Sequence, residues 1–89
     1  MNEIHLTPEA LDDLRYWANQ DPKTIRRIYG LFEELIRTPF TGTGKPEPLK
    51  YDKSGYWSRR INGTDRIIYK VLTEGDVLVT SCRYHYNDK

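Results

Sequence analysis

The hydrophobic period of this chain changes once, and the change divides it into a helical half and a strand half. Thr7-Pro8 and Asp21-Pro22 each set a capping side chain before a proline. That is a helix start, because the cap oxygen accepts an orphan N–H and proline at the first helical position has none to lose. After the first start, Ala10, Leu11, Leu14, Trp17 and Ala18 recur at the three-and-four spacing of one helical face. After the second, Ile25, Ile28, Phe32 and Leu35 do the same, with Leu31 and Ile36 beside them, until Thr38-Pro39 stops the pattern. Two such helices joined by a short connection predict an antiparallel pair covering something apolar.

Downstream the period is that of strands. Tyr56 to Ile61, Arg66 to Leu72 and Val77 to Arg83 are rich in aromatic and β-branched residues, separated by Asn62-Gly63 and Glu74-Gly75-Asp76. They read as a three-stranded antiparallel meander. Glu3 to Leu6 is a further short strand, and Phe40 to Gly55, with Gly42, Gly44, Pro46, Pro48 and Gly55, is loop chemistry of neither period. The expected fold is α+β, in the order β-α-α-β-β-β, with two helices packed on a mainly antiparallel four-stranded sheet. At 89 residues, residues 1–89 are expected to form one domain. A domain of this size buries only about 60 to 65% of its unfolded surface, so a bound partner would add to its stability.

Cys82 is the single cysteine, which excludes an internal disulfide, and no Cys/His cluster has metal-ligand spacing. No cofactor and no metal are expected. The segment Met1 to Leu6 lacks the apolar core of a signal peptide, and no apolar run approaches the roughly 20 residues that span a bilayer. The chain is expected in a reducing cytoplasm, away from membranes. The formal net charge of +1 conceals an asymmetry: residues 1 to 44 hold five basic against seven acidic residues, whereas Lys45 to Lys70 hold seven against three. Such a distribution suits a surface facing a polyanion, although a solvated strand face has the same composition.

Glu47 lies between Pro46 and Pro48, which restrict its backbone and would hold a general base with little loop entropy left to lose. A rigid surface turn is the commoner meaning of a proline-flanked acid. Along strands side chains alternate, so Tyr56, Ser58 and Arg60 share one face, as do Arg66, Ile68, Lys70 and Leu72. Arg60 and Arg66 flank the turn, and on an exposed face they would form a fork of donors for a phosphate. In Cys82-Arg-Tyr-His-Tyr86, a regular strand would put Arg83 and His85 on one face and Cys82, Tyr84 and Tyr86 on the other. Histidine, with a reference pKa of about 6.5, can protonate a leaving oxygen near neutrality, and tyrosines can stack on bases. Core packing explains such tyrosines equally well. Together these residues supply a base, phosphate-binding arginines and an acid, the minimum for cleaving RNA, whose 2′-hydroxyl is an internal nucleophile that DNA lacks.

The segments Thr38-Pro-Phe, Gly44-Lys-Pro-Glu-Pro-Leu-Lys50, Ser54-Gly-Tyr-Trp-Ser-Arg-Arg-Ile61, Arg66 with its strand, and Cys82-Arg-Tyr-His-Tyr86 resemble, in order, the YoeB-like toxins of the RelE superfamily. The likeness runs through about half the chain. It implies a RelE-like ribonuclease fold and an endoribonuclease that cuts mRNA in the ribosomal A site. By position it implies Glu47 as general base, Arg66 as the phosphate-stabilising arginine, His85 as general acid and Tyr86 beside it. Lys50 and Arg60, with Lys45 in the same basic segment, match residues that bind RNA or stabilise charge. It further implies a YefM-like antitoxin as partner, contact with operator DNA only through that antitoxin, and the ribosome and mRNA as targets; monomer and homodimer both stay open. One departure is Asn87-Asp88-Lys89, which continues past the aromatic end where relatives often stop. Two non-hydrolytic alternatives keep the same fold: a binder of a target such as DNA gyrase, as ParE-like relatives act, and an inhibitor that occupies the ribosome without cutting.

Overall fold

The computed structural model describes residues 2–83. Their elements are β1 (Ile4–Leu6), α1 (Pro8–Gln20), α2 (Pro22–Arg37), β2 (Glu47–Pro48), a single 3₁₀ turn (Tyr51–Lys53), β3 (Trp57–Arg60), β4 (Arg66–Val71) and β5 (Val77–Ser81). Both predicted helix starts are where the sequence put them. The Thr7 hydroxyl accepts from the Ala10 N–H at 3.2 Å and donates to the Thr80 carbonyl, which fixes the entry of α1 to β5. Asp21 alone joins the two helices, and its carboxylate accepts from the Thr24 hydroxyl at 2.8 Å rather than from a backbone N–H.

Among the described residues the sheet has five strands in the order β1-β5-β4-β3-β2, not four, because Glu47–Pro48 within the expected loop pairs antiparallel with β3. The three later strands form the predicted meander, with a register irregularity between Ile68 and Tyr69. The first strand pairs parallel with the last, Ile4 opposite Val77 and Leu6 opposite Val79. A parallel neighbour requires a crossover, and the two helices supply it.

The crossover covers one face of the sheet. Ala10, Leu14, Trp17, Ile28, Leu31 and Leu35 pack against Ile61, Ile67, Tyr69, Val77, Val79 and Cys82. The α1 stripe is narrower than its spacing suggested: Leu11 is 45% exposed and Ala18 is exposed, since one flat sheet face accepts only the central row of the helix. By alternation, the other face carries Tyr56, Ser58, Arg60, Arg66, Ile68, Lys70 and Leu78. No described helix is long and apolar enough to cross a membrane.

The β1 edge is fastened by Asp76, which precedes β5. Its carboxylate accepts from the Glu3 N–H at 2.9 Å and pairs with His5 Nε2 at 3.0 Å. The bond to Asp76 raises the His5 pKa above its ordinary value, and the same bond, with the Glu3 N–H, lowers that of Asp76. A raised imidazole stabilises fully below its ordinary value and loses that contribution as pH rises through the folded one; a depressed carboxylate stabilises above its ordinary value and loses it in acid. The pair is therefore complete between the ordinary values, 3.8 for Asp76 and 6.5 for His5. The melting-temperature gap between the wild type and His5→Gln should be widest in that window and close at alkaline pH. An equal gap at pH values of about 5 and 9 would contradict the assignment.

Candidate active site

The sheet face away from the helices, the open face, gathers most of the chemistry-bearing residues, although Ser58 and Ile68 on it are buried. Glu47 stands opposite Ser58, Ser58 opposite Ile68, and Arg60 opposite Arg66. Directly opposed residues share a face, so Glu47, Ser58, Arg60 and Arg66 lie on one surface. From strand spacing and rise, the Glu47 and Arg66 backbones are about 12 Å apart, a span that a glutamate and an arginine reaching toward each other can close around a phosphate. Glu47 is exposed, and Arg60 and Arg66 are half-buried. Lys70 joins the same face with its ammonium 5.4 Å from the Tyr56 ring centroid. Near the β3–β4 turn, Arg27 of α2 donates through Nε to the Ile61 carbonyl, which ties the helix layer to the end of β3.

Lys45 and Lys50 flank Glu47 in sequence and are both exposed. Lys45 has a φ of 53°, and Tyr51, just after Lys50, one of 61°. Left-handed backbone costs a residue with a Cβ roughly 1–2 kcal/mol and persists only where the surroundings impose it. The segment bearing Glu47 is thus bounded by two strained residues. It is tied to the sheet by the Arg60 N–H on the Gly44 carbonyl at 2.7 Å and the Leu49 N–H on the Tyr56 carbonyl at 2.9 Å.

Sequence reasoning missed the residues that hold the start of this segment. Arg59, counted there only as one positive charge among seven, is fully buried on the helix-covered face. Its Nη1 donates to Glu34 Oε1 at 3.1 Å, and its Nη2 donates to the Thr38 and Thr41 carbonyls at 2.9 Å each. Glu34 Oε1 also accepts from the Thr43 N–H at 3.0 Å. That N–H, then the Thr43 hydroxyl, then the Arg59 charge hold the Glu34 carboxyl below its ordinary pKa. Close by, the Tyr69 hydroxyl donates to the Pro39 carbonyl at 2.6 Å, and Phe40 packs on Trp57 with ring centroids 4.7 Å apart. The overlooked signal was strand alternation itself: Arg59 falls between Trp57 and Ile61 on the apolar face, where a charge needs buried partners.

At its end β5 is shorter than the expected Val77 to Arg83. The strand stops at Ser81. The Cys82 N–H donates to Asp13 Oδ2 at 2.9 Å, the Trp17 indole N–H donates to the Cys82 carbonyl at 2.8 Å, and Arg83 lies 3.4 Å over the Tyr16 ring. Contacts with α1 therefore replace ladder bonds at Cys82 and Arg83. Burial, with Asp13 nearby, pushes the Cys82 thiol up to about 12, so it is an inert core residue. Burial also raises the Asp13 carboxyl. Tyr84, His85 and Tyr86 lie outside the described residues. Among those described, Glu3, His5 and Asp76 could place three ligand atoms within 4.8 Å of one another for a metal; they lie at the β1 edge, across the sheet from Glu47.

The model of a family described as the YoeB-like toxin of bacterial type II toxin-antitoxin system matches residues 6–86. Over 78 residues the chain is 47% identical to toxin YoeB of Escherichia coli (strain K12), covering 88% of this chain and 92% of that relative. Its structure is similar to that of a YoeB/ParE toxin from Agrobacterium tumefaciens, with a TM-score of 0.90, 41% identity and coverage of 94% of this chain and 99% of the other. It is also similar to a chain in the heterotetrameric YoeB-YefM toxin-antitoxin complex from Staphylococcus aureus, with a TM-score of 0.85, 37% identity and coverage of 97% and 99%.

The packing around Arg59 predicts unequal responses from two glycines. A Cβ at Gly44, where φ is 89°, would come within 2.6 Å of Arg59 Cγ and 2.9 Å of the Arg60 carbonyl oxygen, whereas one at Gly63 meets nothing within 4 Å. In urea unfolding, Gly44→Ala should lose about 2 kcal/mol or more, and Gly63→Ala should stay within about 0.5 kcal/mol of wild type. Equal losses would show that the Gly44 segment is free to move.

Proposed function

The chain belongs to the YoeB-like toxins of bacterial type II toxin-antitoxin systems, and from that membership we propose that residues 1–89 act as one endoribonuclease domain cutting mRNA in the ribosomal A site. The observation that supports this reading is the pairing of Glu47 opposite Ser58, on the uncovered face that also bears Arg60 and Arg66. A carboxylate and two guanidiniums on one open face suit an RNA phosphodiester bond better than they suit a structural role. The helices already supply the core on the other face.

In this mechanism Glu47 takes the proton of a ribose 2′-hydroxyl, and the oxygen attacks the adjacent phosphorus. Arg66, with Arg60 and Lys50, neutralises the charge on the non-bridging oxygens, while Lys45 helps hold the backbone. His85, with Tyr86 beside it, protonates the departing 5′-oxygen. The products are a 2′,3′-cyclic phosphate and a free 5′-hydroxyl, so the reaction needs no water and no metal. Acid and base steps each contribute on the order of 10²- to 10⁴-fold, and each preorganised donor about 10²- to 10³-fold, enough to make cleavage fast. Inhibition of translation in the cytoplasm follows from loss of the message. A YefM-like antitoxin would silence the enzyme, as the Staphylococcus aureus pairing suggests, and would carry any contact with operator DNA.

Programmed ribosomes test the proposal. Glu47→Gln, Arg66→Ala and His85→Gln, introduced singly, should each slow appearance of the new mRNA end by about 10²-fold or more. Undiminished cleavage in all three would overturn the mechanism. Arrest without a new end in the wild type would point instead to a non-hydrolytic binder.

A further inference from the structure

We propose that Arg59 and Glu34 are positioning residues for Glu47: an enclosed arginine and its half-buried glutamate partner, on the helix side of the sheet, that set the cleavage rate without touching RNA. The inference rests on the reading of Glu47 as general base. Arg59 is entirely enclosed, and one of its donors, Nε, has no partner. A buried ion pair is often no more stabilising than apolar residues of the same volume, and an unsatisfied buried donor makes it less so. Stability alone therefore does not account for a guanidinium here. The use of its other donors does.

Each bonded Arg59 donor acts on the segment that leads to Glu47. Two carbonyls of the turn after α2, those of Thr38 and Thr41, are held directly by Nη2. Thr43 is held through Glu34, whose Oε1 takes both the Arg59 Nη1–H and the Thr43 N–H. A Cβ at Gly42 would come within 2.6 Å of the same oxygen, so the backbone there is pressed against the pair. From Thr43 the chain has only Gly44, Lys45 and Pro46 before Glu47. Gly44 is bonded to Arg60, Lys45 is held left-handed, and proline has a fixed φ. So short and constrained a path leaves little slack, and a displacement at Thr43 is passed on to the Glu47 carboxylate.

The topology separates this pair from the RNA. Alternation along β3 puts Arg59 on the covered face, and Ser58 and Arg60 on the open one opposite Glu47 and Arg66. The segment crosses from one face to the other around the β3 edge. Arg59 and Glu34 hold it on the far side, and β2 delivers it to the near side.

Glu34→Gln keeps the side-chain shape and one acceptor oxygen but removes the charge. Because a misplacement of about 1 Å can cost 10²-fold in rate, single-turnover cleavage of mRNA on programmed ribosomes should slow by about 10- to 100-fold, with RNA affinity within about twofold of wild type. Arg59→Lys, which keeps the charge but loses the fork, is a second route to the same result if Glu34→Gln is poorly folded by circular dichroism. The decisive comparison repeats the substitution in a Glu47→Gln background. A device acting through Glu47 has nothing left to position there, so the added loss should fall to within about threefold; an equal loss in both backgrounds means a general structural defect and overturns the proposal. An unchanged rate in folded Glu34→Gln, with Glu47→Gln slowed as expected, overturns the positioning role and leaves the general base intact. A fully active Glu47→Gln overturns the general base, and this inference with it.

Discussion

A guanidinium placed in an apolar layer must be surrounded by acceptors, and that requirement organises the central part of this molecule. Arg59 draws Glu34 from α2 and the Thr38 and Thr41 carbonyls from the following turn into one hydrogen-bonded group. The helix layer is thereby joined to β3, and the segment after α2 is bent back along the sheet edge. Without those acceptors the buried charge would be severely destabilising. The turn and the strand therefore have to form together.

The alternation along β3 defines the strand register. Ser58, Arg59 and Arg60 alternate, so a slip of β3 by one position would bring Arg60 into the core and expose Arg59. Arg60 would then meet the same acceptors, so the rest of the strand opposes the slip: Trp57 and Ile61 would leave the core and Ser58 would enter it. Correct register also sets Arg60 against Arg66 and Ser58 against Glu47. One register thus sets both the packing of the covered face and the composition of the open one. The sheet is used twice, once for its core and once, in the proposed reading, for its chemistry.

Elsewhere the fold depends on contacts distant in sequence. The parallel pairing of β1 with β5, the Thr7 and Asp76 bonds, and the hold of Asp13 and Trp17 on Cys82 connect the two ends of the described chain to each other and to α1. These contacts fix the position of Cys82 at the end of β5. In a chain this short, with a modest core, such ties limit how far the edges can open.

Local signals decided much of this protein. The Thr7-Pro8 and Asp21-Pro22 starts, the apolar stripes of the helices and the punctuated β-branched runs are short-range effects of capping, period and turn chemistry, and they made the helices and the meander legible. The residue kit was also legible, since Glu47 between two prolines, the arginine pair and the terminal histidine are visible as residue types, and collinear segments pointed to the toxin family that the comparisons show. Tertiary structure alone decided three things. It paired β1 parallel with β5, because a three-residue strand carries no information about a partner more than seventy residues away. It turned Glu47–Pro48 from loop into an edge strand, because only the anchored segment comes close enough to β3 to pair. It made Arg59, rather than Arg60, the buried arginine, because adjacent arginines are alike in composition, and what separates them is which face of the sheet the helices cover.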